Sequence, residues 1–128
     1  MSQRNDSGFM TFTASAAIPL YSRVELHTDG KIRLAGLAVK EIGTLQTAAA
    51  FADGDDVSVK LRSAAGTHKM RCKEAVDVGD TVYTETDGEI QDTAQATAFQ
   101  IGTCFATTTA EDDIVEVLYN NHGDTAAS

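Results

Sequence analysis

The sequence predicts an all-β protein: a compact β-barrel or β-sandwich built from two hairpin-containing repeats, with flexible N- and C-terminal tails. Three observations carry this reading. A long stretch of the chain recurs once. Each copy holds an Asp-Gly pair between short alternating segments. No segment sustains the 3.6-residue apolar period of an amphipathic helix.

The recurrence runs from Ala17–Ile32 to Ala75–Ile90 without a gap, 58 positions apart. Ala17, Val24, Thr28, Asp29, Gly30 and Ile32 return as Ala75, Val82, Thr86, Asp87, Gly88 and Ile90. After one inserted residue, Ile42-Gly43-Thr44 returns as Ile101-Gly102-Thr103. Each copy closes on an alternating segment, Val57–Leu61 in the first and Val115–Tyr119 in the second. The repeats therefore cover about 17–61 and 75–119.

Within each copy the elements follow in the same order. Val24-Glu25-Leu26 and Val82-Tyr83-Thr84 are short strands. Thr28-Asp29-Gly30 and Thr86-Asp87-Gly88 are turns, because Gly takes positive φ at little cost and Asp tolerates it. Ile32 and Ile90 begin the return strands. The Ala-rich stretch Leu45–Ala52 has helical propensity, but the matching stretch Cys104–Ala110 is rich in β-branched Thr. Both are read as strands leading into acidic loops, Asp53–Asp56 and Glu111–Asp113. An earlier strand is expected at Phe9–Ala14. Another, at Thr67–Lys73, joins the copies and puts His68, Met70 and Cys72 on one side.

A chain of 128 residues suits a single domain. The expected division is an arm at 1–8, one β domain at 9–120 and a tail at 121–128. One compact unit is favoured over two lobes, because a lobe of about 58 residues with few aromatics is marginal alone. Aromatics are only 6% of the chain, without Trp, and much of the apolar content is Ala, so a modest core is expected. The net charge of −9 repels phosphate and argues against a nucleic-acid partner. No apolar run approaches the roughly 20 residues of a membrane span. The polar start Met1–Gly8 lacks the apolar segment of a secretory signal, so synthesis in a cytoplasm is expected. Cys72 and Cys104 then read as buried thiols rather than a disulfide or zinc site.

The sequence offers no catalytic or cofactor motif, and the expectation is a protein that is not an enzyme and holds no cofactor or metal. His27, His68 and His122 lack ligand spacing. Asp53, Asp55 and Asp56 around Gly54 share only composition with a calcium loop. Nucleophile elbows and phosphate-binding glycine motifs are missing. Cys104 aligns with Leu45, and a position that accepts both residues is a core position.

The pattern Ala75-x-x-x-Gly79-Asp80-x-Val82-Tyr83, followed by Asp87-Gly88-x-Ile90, Ile101-Gly102 and Val115-x-Val117, resembles the capsid decoration (cement) proteins of tailed bacteriophages. The resemblance spans roughly residues 9–119. The first copy departs from it, with Tyr21-Ser22-Arg23 in place of Gly79-Asp80-Thr81. The resemblance implies a virion protein on the capsid exterior. It would act as a homotrimer that binds the major capsid protein and stabilises the head by bridging neighbouring subunits. Candidate contact residues are Arg4, Phe9 and Phe12 near the N-terminus and the basic strand residues Lys69, Arg71 and Lys73. For the basic three, a solvated strand face is the competing reading. The alternative function is a small β-barrel module that binds a ligand or host glycan, which the scarcity of aromatic residues weakens.

Overall fold

A computed structural model describes residues 8–119 of the chain. It contains ten strands: β1 Phe9–Thr13, β2 Arg23–Leu26, β3 Ile32–Leu34, β4 Gly43–Leu45, β5 Asp56–Leu61, β6 His68–Arg71, β7 Thr81–Thr84, β8 Ile90–Gln91, β9 Gln100–Cys104 and β10 Ile114–Tyr119. They form two five-stranded antiparallel sheets, ordered β1-β5-β4-β2-β3 and β6-β10-β9-β7-β8. The second order is the first with each number raised by five. The expected all-β fold of two hairpin-containing repeats is therefore present, and the fold extends the repeat to include β1 and β6.

Equivalent hydrogen bonds show how closely the copies match. Ala14 bridges Ile32 in parallel, and Cys72 bridges Ile90 in the same way. These bridges draw the two edges of each sheet together into a small barrel. Ala14 N–H donates to Asp55 O at 2.7 Å, and Cys72 N–H to Asp113 O at 2.9 Å. The acidic loops also have one job in both copies. Asp55 accepts from the backbone N–H groups of Phe51 and Ala52, and Asp113 accepts from those of Thr109 and Ala110. These carboxylates are local loop braces, because each satisfies donors three and four residues upstream.

The repeated Ile-Gly pair has a steric cause. A Cβ on Gly43 would run into the carbonyl oxygen of Lys60, and one on Gly102 into that of Leu118. The close approach of β4 to β5, and of β9 to β10, thus requires glycine at both positions.

Each barrel has its own apolar core. Ile18, Val24, Ile32, Leu45, Val57 and Val59 fill the first. Met70, Cys72, Val76, Val82, Ile90, Ile101, Cys104, Val115 and Val117 fill the second. Leu45 and Cys104 are both fully buried, as their alignment requires, and both cysteines are free thiols. The Ala- and Thr-rich stretches differ from expectation. Strand geometry ends at Leu45 and Cys104. The residues beyond are loops, tied down by Ile18–Ala50 and Val76–Thr108 hydrogen bonds. Small and β-branched side chains there lack an alternating apolar face, so nothing draws them into the sheet.

Candidate interaction surface

The two barrels meet along a seam that is polar rather than oily. Arg23, at the start of β2, lies fully buried in it. Its Nη1 donates to Glu41 Oε1 at 3.1 Å within the first repeat. Across the seam, Nε donates to Glu89 O at 2.9 Å and Nη2 to Glu85 O at 2.5 Å. A buried guanidinium is tolerable only with such a complete set of partners. Glu41 Oε2 accepts from the hydroxyl of Tyr119, on β10 of the other repeat, at 2.6 Å. Burial and the Glu41 carboxylate raise the Tyr119 hydroxyl well above the usual phenol range.

The Tyr119 ring stands edge-on to His68 at 4.8 Å. His68 Nδ1 lies 2.8 Å from Thr44 Oγ1, which itself accepts from Gln46 Nε2. His68 Nε2 has no hydrogen-bond partner. Burial, together with the charge of Lys60, lowers His68 to about 4. Backbone contacts close the seam: Arg71 N–H to Tyr21 O, Gly88 N–H to Ala35 O, and Gln46 to both backbone groups of Lys69. The outer edge of β6 is therefore covered by the first repeat.

A second cluster sits where the seam reaches the surface. Arg71 donates to Ser22 Oγ and Asp87 O, and its Nη1 lies 3.2 Å from Asp112 and 3.6 Å from Glu89. Lys73 Nζ lies within 4 Å of Asp87, Glu89 and Glu111. Glu89 is pushed up to about 7, first by burial and then by a hydrogen bond with Asp112. Glu89, Glu111 and Asp112 bring carboxylate oxygens within 4.8 Å of one another. Arg71 and Lys73 lie among them, so these carboxylates are already paired in part with side-chain cations.

The sequence-predicted contact residues separate accordingly. Phe9 lies exposed on β1, while Phe12 turns in against the first core. Arg4 lies outside the described residues. Lys69 is exposed, with its ammonium 5.8 Å from the centre of the Tyr21 ring. Arg71 and Lys73 point into the carboxylate cluster, so the three basic residues do not form one open patch. Arg23, Glu41 and Glu89 were not singled out from the sequence. The available signal was the departure of Tyr21-Ser22-Arg23 from the repeat, which falls on the seam.

A groove of about 430 Å³ opens beside the seam. Tyr21, Lys69, Phe105, Ile114 and Glu116 line it. Other apolar side chains stand exposed on the two barrels, among them Met10, Leu26, Phe51 and Val78.

No protein-family model matches the chain, and no curated protein matches it. Among solved structures, the fold is similar to the N-terminal base of the head fiber gp8.5 of bacteriophage phi29. That similarity has a TM-score of 0.68 at 16% identity and covers 88% of this chain and 92% of the other. The chain thus shares, over nearly its whole described length, the fold of a phage head-fiber base.

Proposed function

We propose that this protein is a structural component of a phage virion. It binds the outer surface of the head as a homotrimer and stabilises the shell by bridging major capsid subunits. The observation that carries this reading is the shared fold with a phage head-fiber base across both repeats. The resemblance of Ala75–Tyr119 to cement proteins supports the same class. The physical logic fits the molecule. The buried ionisable groups Arg23, Glu41 and Tyr119 lock two barrels into one stiff body. Each copy then presents several apolar side chains on a rigid scaffold, and contacts that are weak singly add when one oligomer makes them together. Such a clamp requires no catalytic site.

The test is co-sedimentation with heads of the parent phage that lack this protein. The expected result is saturable pelleting with heads and none with free capsid subunits. A protein that stays in the supernatant at saturating heads contradicts the proposal.

The groove lined by Tyr21 and Phe105 favours one second reading, a module binding a host glycan. The exposed Phe105 ring and the partly buried Tyr21 ring, beside Lys69 and Glu116, offer stacking and hydrogen bonding together. Glycan-array binding that disappears in Tyr21→Ala and Phe105→Ala variants would select this reading over head binding.

A further inference from the structure

We infer that copies of this chain join head to tail, through surfaces equivalent to those that join the two repeats within one copy. The inference deepens the homotrimer in the proposed function by naming its contact faces, but it is tested without heads.

The internal seam is heterologous: different faces of the two repeats meet. The first repeat contributes Tyr21, Ser22, Arg23, Ala35, Thr44 and Gln46. The second contributes His68, Lys69, Arg71, Thr84, Gly88 and Glu89. Because the repeats share one fold, each owns both faces and uses one of them internally. The second repeat's copy of the first face runs through Gly79, Asp80, Thr81, Thr103 and Phe105. The first repeat's copy of the second face runs through Met10, Thr11, Thr13, Leu26, Gly30 and Lys31. None of these residues is buried, whereas Ser22, Arg23, Thr44, His68, Thr84, Gly88 and Glu89 all are.

The glycine pair shows the vacancy most directly. A Cβ on Gly88 would lie 2.7 Å from the carbonyl oxygen of Arg23, because the first repeat is seated on that turn. A Cβ on Gly30, its equivalent, would meet nothing within 4 Å.

The open faces also differ from the seam in the direction an intermolecular contact needs. Buried His68 and Thr84 are replaced by Met10 and Leu26, each 47% exposed. Gln46 is replaced by Phe105, also half-exposed. A contact that covers Met10, Leu26 and Phe105 removes apolar surface from water without the desolvation cost of another Arg23–Glu41 pair. A second copy of this chain is the occupant that supplies the complementary face by construction. A heterologous contact of this kind closes into a ring when its rotation permits, and the trimer is one such ring.

The test uses the full chain and sedimentation velocity at about 50 μM. Wild type is expected as a single oligomer. Leu26→Arg and Phe105→Arg, on opposite faces, are each expected to give monomers with wild-type circular dichroism. Mixing the two variants is expected to give dimers and nothing larger, since each keeps one intact face and those faces are complementary. Met10→Arg repeats the experiment if Leu26→Arg does not fold. Monomeric wild type, unchanged assembly in the variants, or no dimer on mixing would each overturn the inference. Head binding is measured separately, so loss of one activity does not mimic loss of the other.

Discussion

Arg23 is the residue on which the union of the repeats depends most. It gives a hydrogen bond to Glu41 in its own barrel and two to backbone carbonyls in the other. Removing it leaves the Glu41 carboxylate buried without its cation. Arg23→Ala is therefore expected to cost about 3–5 kcal/mol in urea unfolding. Arg23→Met combined with Glu41→Gln should recover part of that loss, because the second change removes the orphaned charge. A loss under about 1 kcal/mol for Arg23→Ala would mean that the pair is not the fastening described.

Glu89 and His68 give the seam opposite responses to pH. Glu89 is raised from 4.5 to about 7 in the folded protein. The fold therefore binds that proton more tightly than the unfolded chain does. The resulting stability is full below about 4.5 and is lost as pH rises through 7. His68 is lowered from 6.5 to about 4, so its contribution is full above 6.5 and is lost as pH falls towards 4. Melting temperatures measured from pH 5 to 8 should separate them. Relative to Glu89→Gln, wild type should lose stability as pH rises across that range, while the His68 effect, common to both proteins, cancels. Parallel curves would contradict the assignment to Glu89.

At the scale of elements, the two Asp-Gly turns have nearly the same sequence and different surroundings. Asp87 and Gly88 both have positive φ, whereas in the first copy Gly30 does and Asp29 does not. Gly88 lies against the first barrel and Gly30 faces open space. Gly30→Ala is expected to cost about 1 kcal/mol from the left-handed backbone alone. Gly88→Ala should cost clearly more, because its Cβ must also displace Arg23. Chemical denaturation of the two variants checks this, and equal losses would show that the seam does not press on the turn.

Much at this scale was legible in the sequence. The alternating segments, the Asp-Gly turns and the Ile-Gly pairs mark strands, turns and close strand approaches by local chemistry, and each occurs twice. Leu45–Ala52 and Cys104–Ala110 read as strands leading into loops, but strand geometry ends at Leu45 and Cys104, since the small and β-branched residues beyond present no apolar face to hold it. The contact residues were less legible. Lys69, Arg71 and Lys73 alternate like a basic face, but only the folded chain shows Asp87, Glu89 and Asp112 converging on two of them. Arg23 was not singled out in the sequence, because nothing local reveals that a second barrel covers it.

At the scale of the whole molecule, two separate cores are joined by a polar seam that neither barrel can satisfy alone. Unfolding is expected to be a single transition, because opening the seam strips Arg23 and Glu41 on one side, and Tyr119 and His68 on the other, of the partners they have across it. Weakening the seam by Arg23→Ala should split calorimetric melting into two steps. A wild-type protein that already melts in two steps would show barrels that are independent.

In the proposed function this pair of barrels clamps the outside of a phage head. Electron cryomicroscopy of protein-deficient heads incubated with purified protein tests it most directly. Added density is expected on the outer surface, astride the junctions between neighbouring capsid subunits and of a shape into which both barrels fit. Heads whose outer surface is unchanged at saturating protein would contradict it.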